Sequence, residues 1–160
     1  MMKQSKTNAM RILDVKKVSY ELMTYDNKDG KIDGVSVAHK ISKDPAQVYK
    51  TLVTQGHSKG IFVFVIPVEK ELDLKKAAKA SGEKKVEMIP VKDILKWTGY
   101  IRGGCSPVGM KKAYPTFMDA SAEQQNTIIV SGGRIGTQME LHVKDLQQVT
   151  GAVLADVVKE

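Results

Sequence analysis

The segment Ile61-Phe62-Val63-Phe64-Val65-Ile66 constrains this chain more than any other. Alternate side chains of a strand point to opposite faces, so this run presents apolar groups on both. Such a strand belongs at the centre of a sheet, with water kept from either side. The apolar run continues only to Val68, far short of the ~20 residues that cross a bilayer. A chain of 160 residues that is 42% hydrophobic and 27% charged has enough apolar material to bury such a strand in one core.

The remaining elements read out from that strand. Thr7 or Asn8 caps a first helix whose Ala9, Met10, Ile12 and Leu13 face inward. Tyr20 to Tyr25 predicts a strand, Asp26 to Gly34 a polar loop, and Ser36 the cap of a short helix reaching Ile41. Asp44-Pro45 starts another helix, and Tyr49 to Gln55 is rich in strand formers. Asp73 caps a helix that runs through Ala80 and ends at Gly82. Val86 to Ile89 reads as a strand, Val91 to Thr98 as a helix closed by Gly99, and Tyr100 to Arg102 as a short strand. Thr127 to Val130 and Thr137 to Leu141 form a hairpin around Ser131 to Gly136, and a helix from Lys144 to Val149 ends at Gly151. Helices and strands mix without strict alternation, which predicts an α+β fold with a mixed, curled sheet. No repeat or linker divides the chain, so residues 1–160 read as a single domain.

One cysteine, Cys105, excludes an internal disulfide and a cysteine-cluster metal site, as expected in a reducing compartment. The first ten residues, MMKQSKTNAM, carry no apolar stretch of a secretory signal. The protein is expected to be soluble and cytoplasmic, with no membrane association. A net charge of +7 points to a polyanionic partner or to a lysine-rich solvated surface, with Lys75, Lys76, Lys79, Lys84, Lys85, Lys111 and Lys112 contributing much of the excess. Aromatic residues are only 6% and do not interleave with the basic ones, so recognition of a nucleic-acid backbone or shape fits better than stacking of splayed bases.

Chemistry-bearing residues are few. Lys50 shares a strand face with Leu52 and Thr54; there it either meets water at an edge or brings a point charge into a cleft, where it suits a phosphate or oxyanion. Gly103-Gly104-Cys105-Ser106-Pro107-Val108-Gly109 is a tight loop whose amides could converge on an oxygen, or a plain structural turn. It is not a P-loop, because Met110 stands where the lysine belongs. Cys105 as a nucleophile needs a basic partner, and nothing marks His39, His57 or His142 as one. The histidines are also too scattered for a zinc signature. Ser131-Gly132-Gly133 places a hydroxyl at a strand end but lacks a nucleophile elbow, Tyr25 ends a strand beside a polar loop, and Trp97 reads as core.

Four segments together, QVYKTLV (Gln47 to Val53), LDLKKAAKASGEKKVEM (Leu72 to Met88), TGYIRGGCSPVGMKK (Thr98 to Lys112) and TIIVSGG (Thr127 to Gly133), resemble the YbaK family of bacterial aminoacyl-tRNA deacylases. That family is related to the editing domain inserted in bacterial prolyl-tRNA synthetases. The resemblance implies a curled, barrel-like mixed sheet flanked by helices, and a cleft for the aminoacylated 3′ end of tRNA. It implies that Lys50 is the essential lysine near the terminal adenosine and that Gly103, Gly104, Cys105, Ser106 and Pro107 form the substrate loop. It also implies that Tyr25 and Ser131 line the pocket. Gln138 stands where some members carry an acidic residue, and no role follows for it. The implied reaction is removal of cysteine from proline tRNA beside prolyl-tRNA synthetase, with no cofactor or metal. A related deacylase for another small amino acid such as alanine, or a non-catalytic tRNA- or synthetase-binding module, remains an alternative.

Overall fold

The computed structural model describes residues 5–160; residues 1–4, part of the N-terminal stretch read above for a leader, lie outside the described residues. Among the described residues, helix α1 (Asn8–Val15) is followed by β1 (Glu21–Thr24), α2 (Gly34–Lys40), β2 (Tyr49–Gly56) and β3 (Ile61–Pro67). Then come α3 (Leu74–Ser81), β4 (Val86–Met88), α4 (Ile94–Thr98), β5 (Thr116–Asp119), β6 (Thr127–Arg134), β7 (Thr137–His142), α5 (Val143–Thr150) and β8 (Val153–Ala155). The strands form two sheets, ordered β1-β7-β6 and β4-β2-β3-β5-β8.

The second sheet is mixed, as expected. β3 runs antiparallel to β2 but parallel to β5, and β5 runs parallel to β8. The two sheets meet through one parallel bridge between Val48 and Ile129 and do not close into a barrel. β3 is buried on both faces. Ile61 and Val65 join the main core with Tyr49, Val53, Met118, Ile128 and Leu146. Phe64 and Ile66 join a second cluster under α3 with Ala77, Ala78, Val86 and Val157. Phe64 also stacks on Phe117 of β5, with ring centroids 5.4 Å apart.

Local signals fix most helix ends. Asp73 is the N-cap of α3, accepting from Lys75 N and Lys76 N, and Gly82 closes it in the left-handed conformation. Such an N-cap is worth about 1 kcal/mol. Thr7 caps α1, and Gly99 and Gly151 end α4 and α5 in the left-handed conformation.

Several expectations are corrected. The cap of α2 is Asp33 rather than Ser36: Asp33 accepts from both Ser36 N and Ser36 Oγ, so the helix starts three residues earlier. Pro45 opens only a three-residue 3-10 turn, and Val91 to Thr98 divides into a 3-10 turn (Val91–Asp93) and the short α4. Tyr100 to Arg102 is not a strand. The Thr98 hydroxyl accepts from Tyr100 N, and Gly104 N donates to Ile101 O, which folds the segment into a turn. β6 does not stop at Val130 but runs to Arg134, with a bulge between Ser131 and Arg134. β5 and β8, four and three residues long, are pinned by parallel partners distant in sequence and have no local signature. Trp97 is only partly buried, packing on the main core while Lys96 Nζ lies 5.0 Å from its ring centroid.

Candidate active site

A cavity of about 100 Å³ opens where the start of β2, the N-terminus of α2, the glycine-rich loop and the β6–β7 pair converge. Lys50, Thr51, Gly103, Cys105, Ser131 and Gln138 line it, with Tyr49, Val48, Val68, Gly34, Val37 and Ile32. Every lining residue is neutral except Lys50. The cavity wraps the beginning of β2, so neighbours from both strand faces reach it.

β4 pairs with β2 only from Thr54 onward, so the Lys50 stretch has β3 on one side and no strand of its own sheet on the other. The edge and cleft readings of this lysine therefore describe one place. Its ammonium has a single contact, 3.5 Å from Val68 O, too long to hold a cation firmly, and forms no ion pair among the described residues. Burial pushes the Lys50 pKa below the ordinary lysine value, and the charge of Glu71 opposes that shift. A half-buried cation with no partner in a neutral cavity is poised for an incoming anion.

The glycine loop forms the opposite wall, and its own bonds fix its shape. Tyr100 Oη donates to Val108 O at 2.7 Å, Ser106 Oγ accepts from Val108 N, and Asn8 Nδ2 donates to Gly109 O. A Cβ at Gly104 would lie 2.8 Å from Arg134 Cα, so only glycine lets the loop approach β6 this closely. The Gly104 amide is spent on Ile101 O. The amides of Gly103 and Cys105, two residues that line the cavity, have no acceptor among the described residues and so are spare donors.

The expected residues therefore separate. Lys50, Gly103, Cys105 and Ser131 meet at the cavity, whereas Tyr25, Gly104, Ser106 and Pro107 are not among its lining. Ser106 is fully buried and its hydroxyl serves the Val108 turn. Ser131 Oγ accepts from Gly133 N at 3.2 Å, and Ser131 pairs across the hairpin with buried Gln138. Cys105 is buried, and burial pushes its thiol up to about 11, against a weak bond to Thr98 Oγ1 that lowers it. A thiol so placed is protonated at neutral pH and is a poor nucleophile. None of the three histidines lines the cavity.

Thr51 was not singled out by the sequence. Its Oγ1 and the Oη of Tyr25 are the two buried side-chain polar atoms without a partner among the described residues. Such an orphan typically costs about 1–3 kcal/mol, and Thr51, which lines the cavity, thereby marks a polar group held in reserve there. A threonine within a β-rich strand carries no local sign of this. Of the basic cluster, Lys76 and Lys85 are tied to Asp156 and Glu87, while Lys75, Lys79, Lys84 and Lys112 form no ion pair among the described residues. No group of three or more His, Cys, Asp or Glu side chains able to hold a metal ion occurs among the described residues, and no helix there is long and apolar enough to cross a membrane.

A lone cation in a small neutral cavity, beside spare amides and hydroxyls, can pair with an incoming anion. Residues 33–149 match the aminoacyl-tRNA editing domain, and the chain belongs to that family. Among individual relatives, EbsC of Enterococcus faecalis, named provisionally as a Cys-tRNA(Pro)/Cys-tRNA(Cys) deacylase, is 46% identical over 154 residues, covering 96% of this chain and 94% of EbsC. Two solved structures share the fold. One, of a hypothetical protein, is 22% identical with a TM-score of 0.86, over 95% of this chain and 99% of its own. The other, described provisionally as a trans-editing enzyme for prolyl tRNA synthetase, is 21% identical with a TM-score of 0.83, over 98% of this chain and 100% of its own.

Proposed function

We propose that this protein is a cytoplasmic trans-editing deacylase that hydrolyses mischarged Cys-tRNA(Pro), acting beside prolyl-tRNA synthetase. The observation that carries the reading is the isolated Lys50 ammonium in a neutral cavity of about 100 Å³, within a member of the aminoacyl-tRNA editing family. The 46% identity to EbsC and the cysteine substrates in that protein's name support the choice of amino acid.

In this reading Lys50 anchors a phosphate of the terminal nucleotide, and the spare amides of Gly103 and Cys105 face the ester oxygen as it gains charge. The hydroxyls of Ser131 and Thr51 orient the amino acid. An aminoacyl ester is already activated, so holding its reacting groups together supplies much of the acceleration. The substrate's thiol sulfur bonds to its own carbonyl carbon, the carbon–oxygen ester bond breaks, and the thiol proton passes to the ribose oxygen. Water then opens the four-membered thiolactone to free cysteine. Cys105 takes no covalent part, in keeping with its raised pKa.

Single-turnover deacylation by purified protein tests the proposal on Cys-, Ser-, Ala- and Pro-tRNA(Pro). Cys-tRNA(Pro) is expected to be cleaved fastest, because a hydroxyl is a weaker nucleophile and a methyl group is none. Equal rates on Ala-tRNA(Pro) would remove the thiol step, and no cleavage of any would remove the deacylase reading.

A further inference from the structure

The loop between β1 and α2, residues 26–33, has the sequence DNKDGKID. Residues 26–31 are all exposed, and Ile32 is its one apolar residue. A polar segment with so little burial belongs to the easily opened part of a fold. Yet Ile32 lines the cavity, and its Cδ1 would lie 2.8 Å from a Cβ placed on Gly103. Some other feature must hold the loop against the glycine wall.

Lys40, in the last turn of α2, supplies it. A lysine there ordinarily favours the carbonyl end of its own helix. Lys40 instead turns its ammonium to the loop and uses all three protons on it: Asp26 O at 2.7 Å, Asp29 Oδ1 at 2.7 Å and Lys31 O at 3.0 Å. The side chain is only 21% exposed, unlike an ordinary surface ion pair, and two of its partners are backbone carbonyls that define the path of the loop. Asp29 in turn accepts from Lys31 N, and Asp26 from Lys28 N, so the bonds form one connected clasp. The hydrogen bond from Lys40 is the main cause holding the Asp29 carboxyl below its ordinary pKa. The same ammonium lies 5.7 Å from the ring centroid of Tyr25, whose buried hydroxyl has no partner.

We propose that Lys40 is a positioning residue that clasps the 26–33 loop and so sets Ile32 as the outer wall of the substrate cavity. The clasp itself rests on geometry, and its kinetic consequence rests on the deacylase reading above. Lys40 is not among the residues that line the cavity. It acts through Ile32, so its loss weakens binding in the ground and transition states alike, which raises KM and leaves kcat nearly unchanged.

The test uses full-length wild type, Lys40→Met, Lys40→Arg and Asp29→Asn, each checked for folding by circular dichroism. In Lys40→Met, hydrogen exchange at the amides of Lys28, Gly30, Lys31 and Ile32 is expected to speed up about tenfold. KM for Cys-tRNA(Pro) is expected to rise about tenfold with kcat within twofold. Lys40→Arg, which keeps several cationic donors, is expected to stay within about threefold of wild type in both, with Asp29→Asn between the two. Unchanged exchange and KM in folded Lys40→Met would overturn the proposal, as would a fall in kcat that Lys40→Arg does not rescue. Should wild type cleave no aminoacyl-tRNA, the deacylase reading fails by itself and the exchange measurement alone decides the clasp.

Discussion

The two walls of the cavity were built on opposite terms. On the β2 wall, Lys50 and Thr51 carry polar groups that the fold leaves almost unused: one 3.5 Å contact for the ammonium and none for the buried hydroxyl. On the loop wall, the side chains are engaged internally, with Tyr100 on Val108, Ser106 on Val108 and Cys105 on Thr98. Burial and desolvation cost stability wherever they are not repaid, so the unused groups are the ones to connect with binding and chemistry. The engaged loop contributes shape and a few backbone donors. Mutations on the first wall should therefore cost activity more than stability, and those on the second the reverse.

The largest effect is expected at Lys50. Lys50→Ala should lower kcat/KM roughly 30- to 1000-fold, the equivalent of about 2–4 kcal/mol for one well-placed charged contact, without lowering the unfolding midpoint. A folded mutant with wild-type turnover would end the distinction between the walls.

Gly104→Ala probes the opposite wall. Its new Cβ would meet Arg134 and Ile135 backbone atoms at 2.8–2.9 Å, which no side-chain rotation relieves. A loss of about 1–3 kcal/mol in unfolding free energy is expected from denaturant titration, and whatever activity falls should follow the displaced loop. A stable, fully active Gly104→Ala protein would show that the close approach is not required.

Thr51→Val sharpens the first wall, since it removes the orphan hydroxyl at nearly constant volume. Stability should rise by up to about 1 kcal/mol while kcat/KM drops about three- to tenfold. A gain in stability with no kinetic change would make Thr51 a structural residue only.

Cys105→Ala is expected to have the smallest effect on catalysis, within a few-fold of wild type, with a modest loss of stability from the buried thiol. With its pKa near 11, only about one molecule in a thousand carries the thiolate at pH 8. Iodoacetamide should accordingly leave Cys105 unmodified in the folded protein and label it in urea. Ready labelling of the native protein, or abolished turnover in Cys105→Ala, would return this cysteine to the chemistry.

Thr7, Asp73, Gly82, Gly99 and Gly151 marked helix ends correctly because a cap is a contact between residues a few positions apart. Six apolar residues in a row were enough to place β3 at the centre of a sheet, and the lysine at position 50 stood out against its β-forming neighbours. Sequence pattern alone set these features, since each is decided by residues near in the chain. It could not set the parallel partners of β5 and β8, the turn at Tyr100, or the run of β6 past its glycines, because each depends on a bond to a distant or competing group. The cavity belongs to this second kind. Ile32, Lys50, Gly103 and Ser131 come together only when the two sheets meet at Val48 and Ile129. Only there does burial take the water from Lys50 and Thr51 without supplying full replacement partners, and that difference in solvation was settled by the tertiary structure.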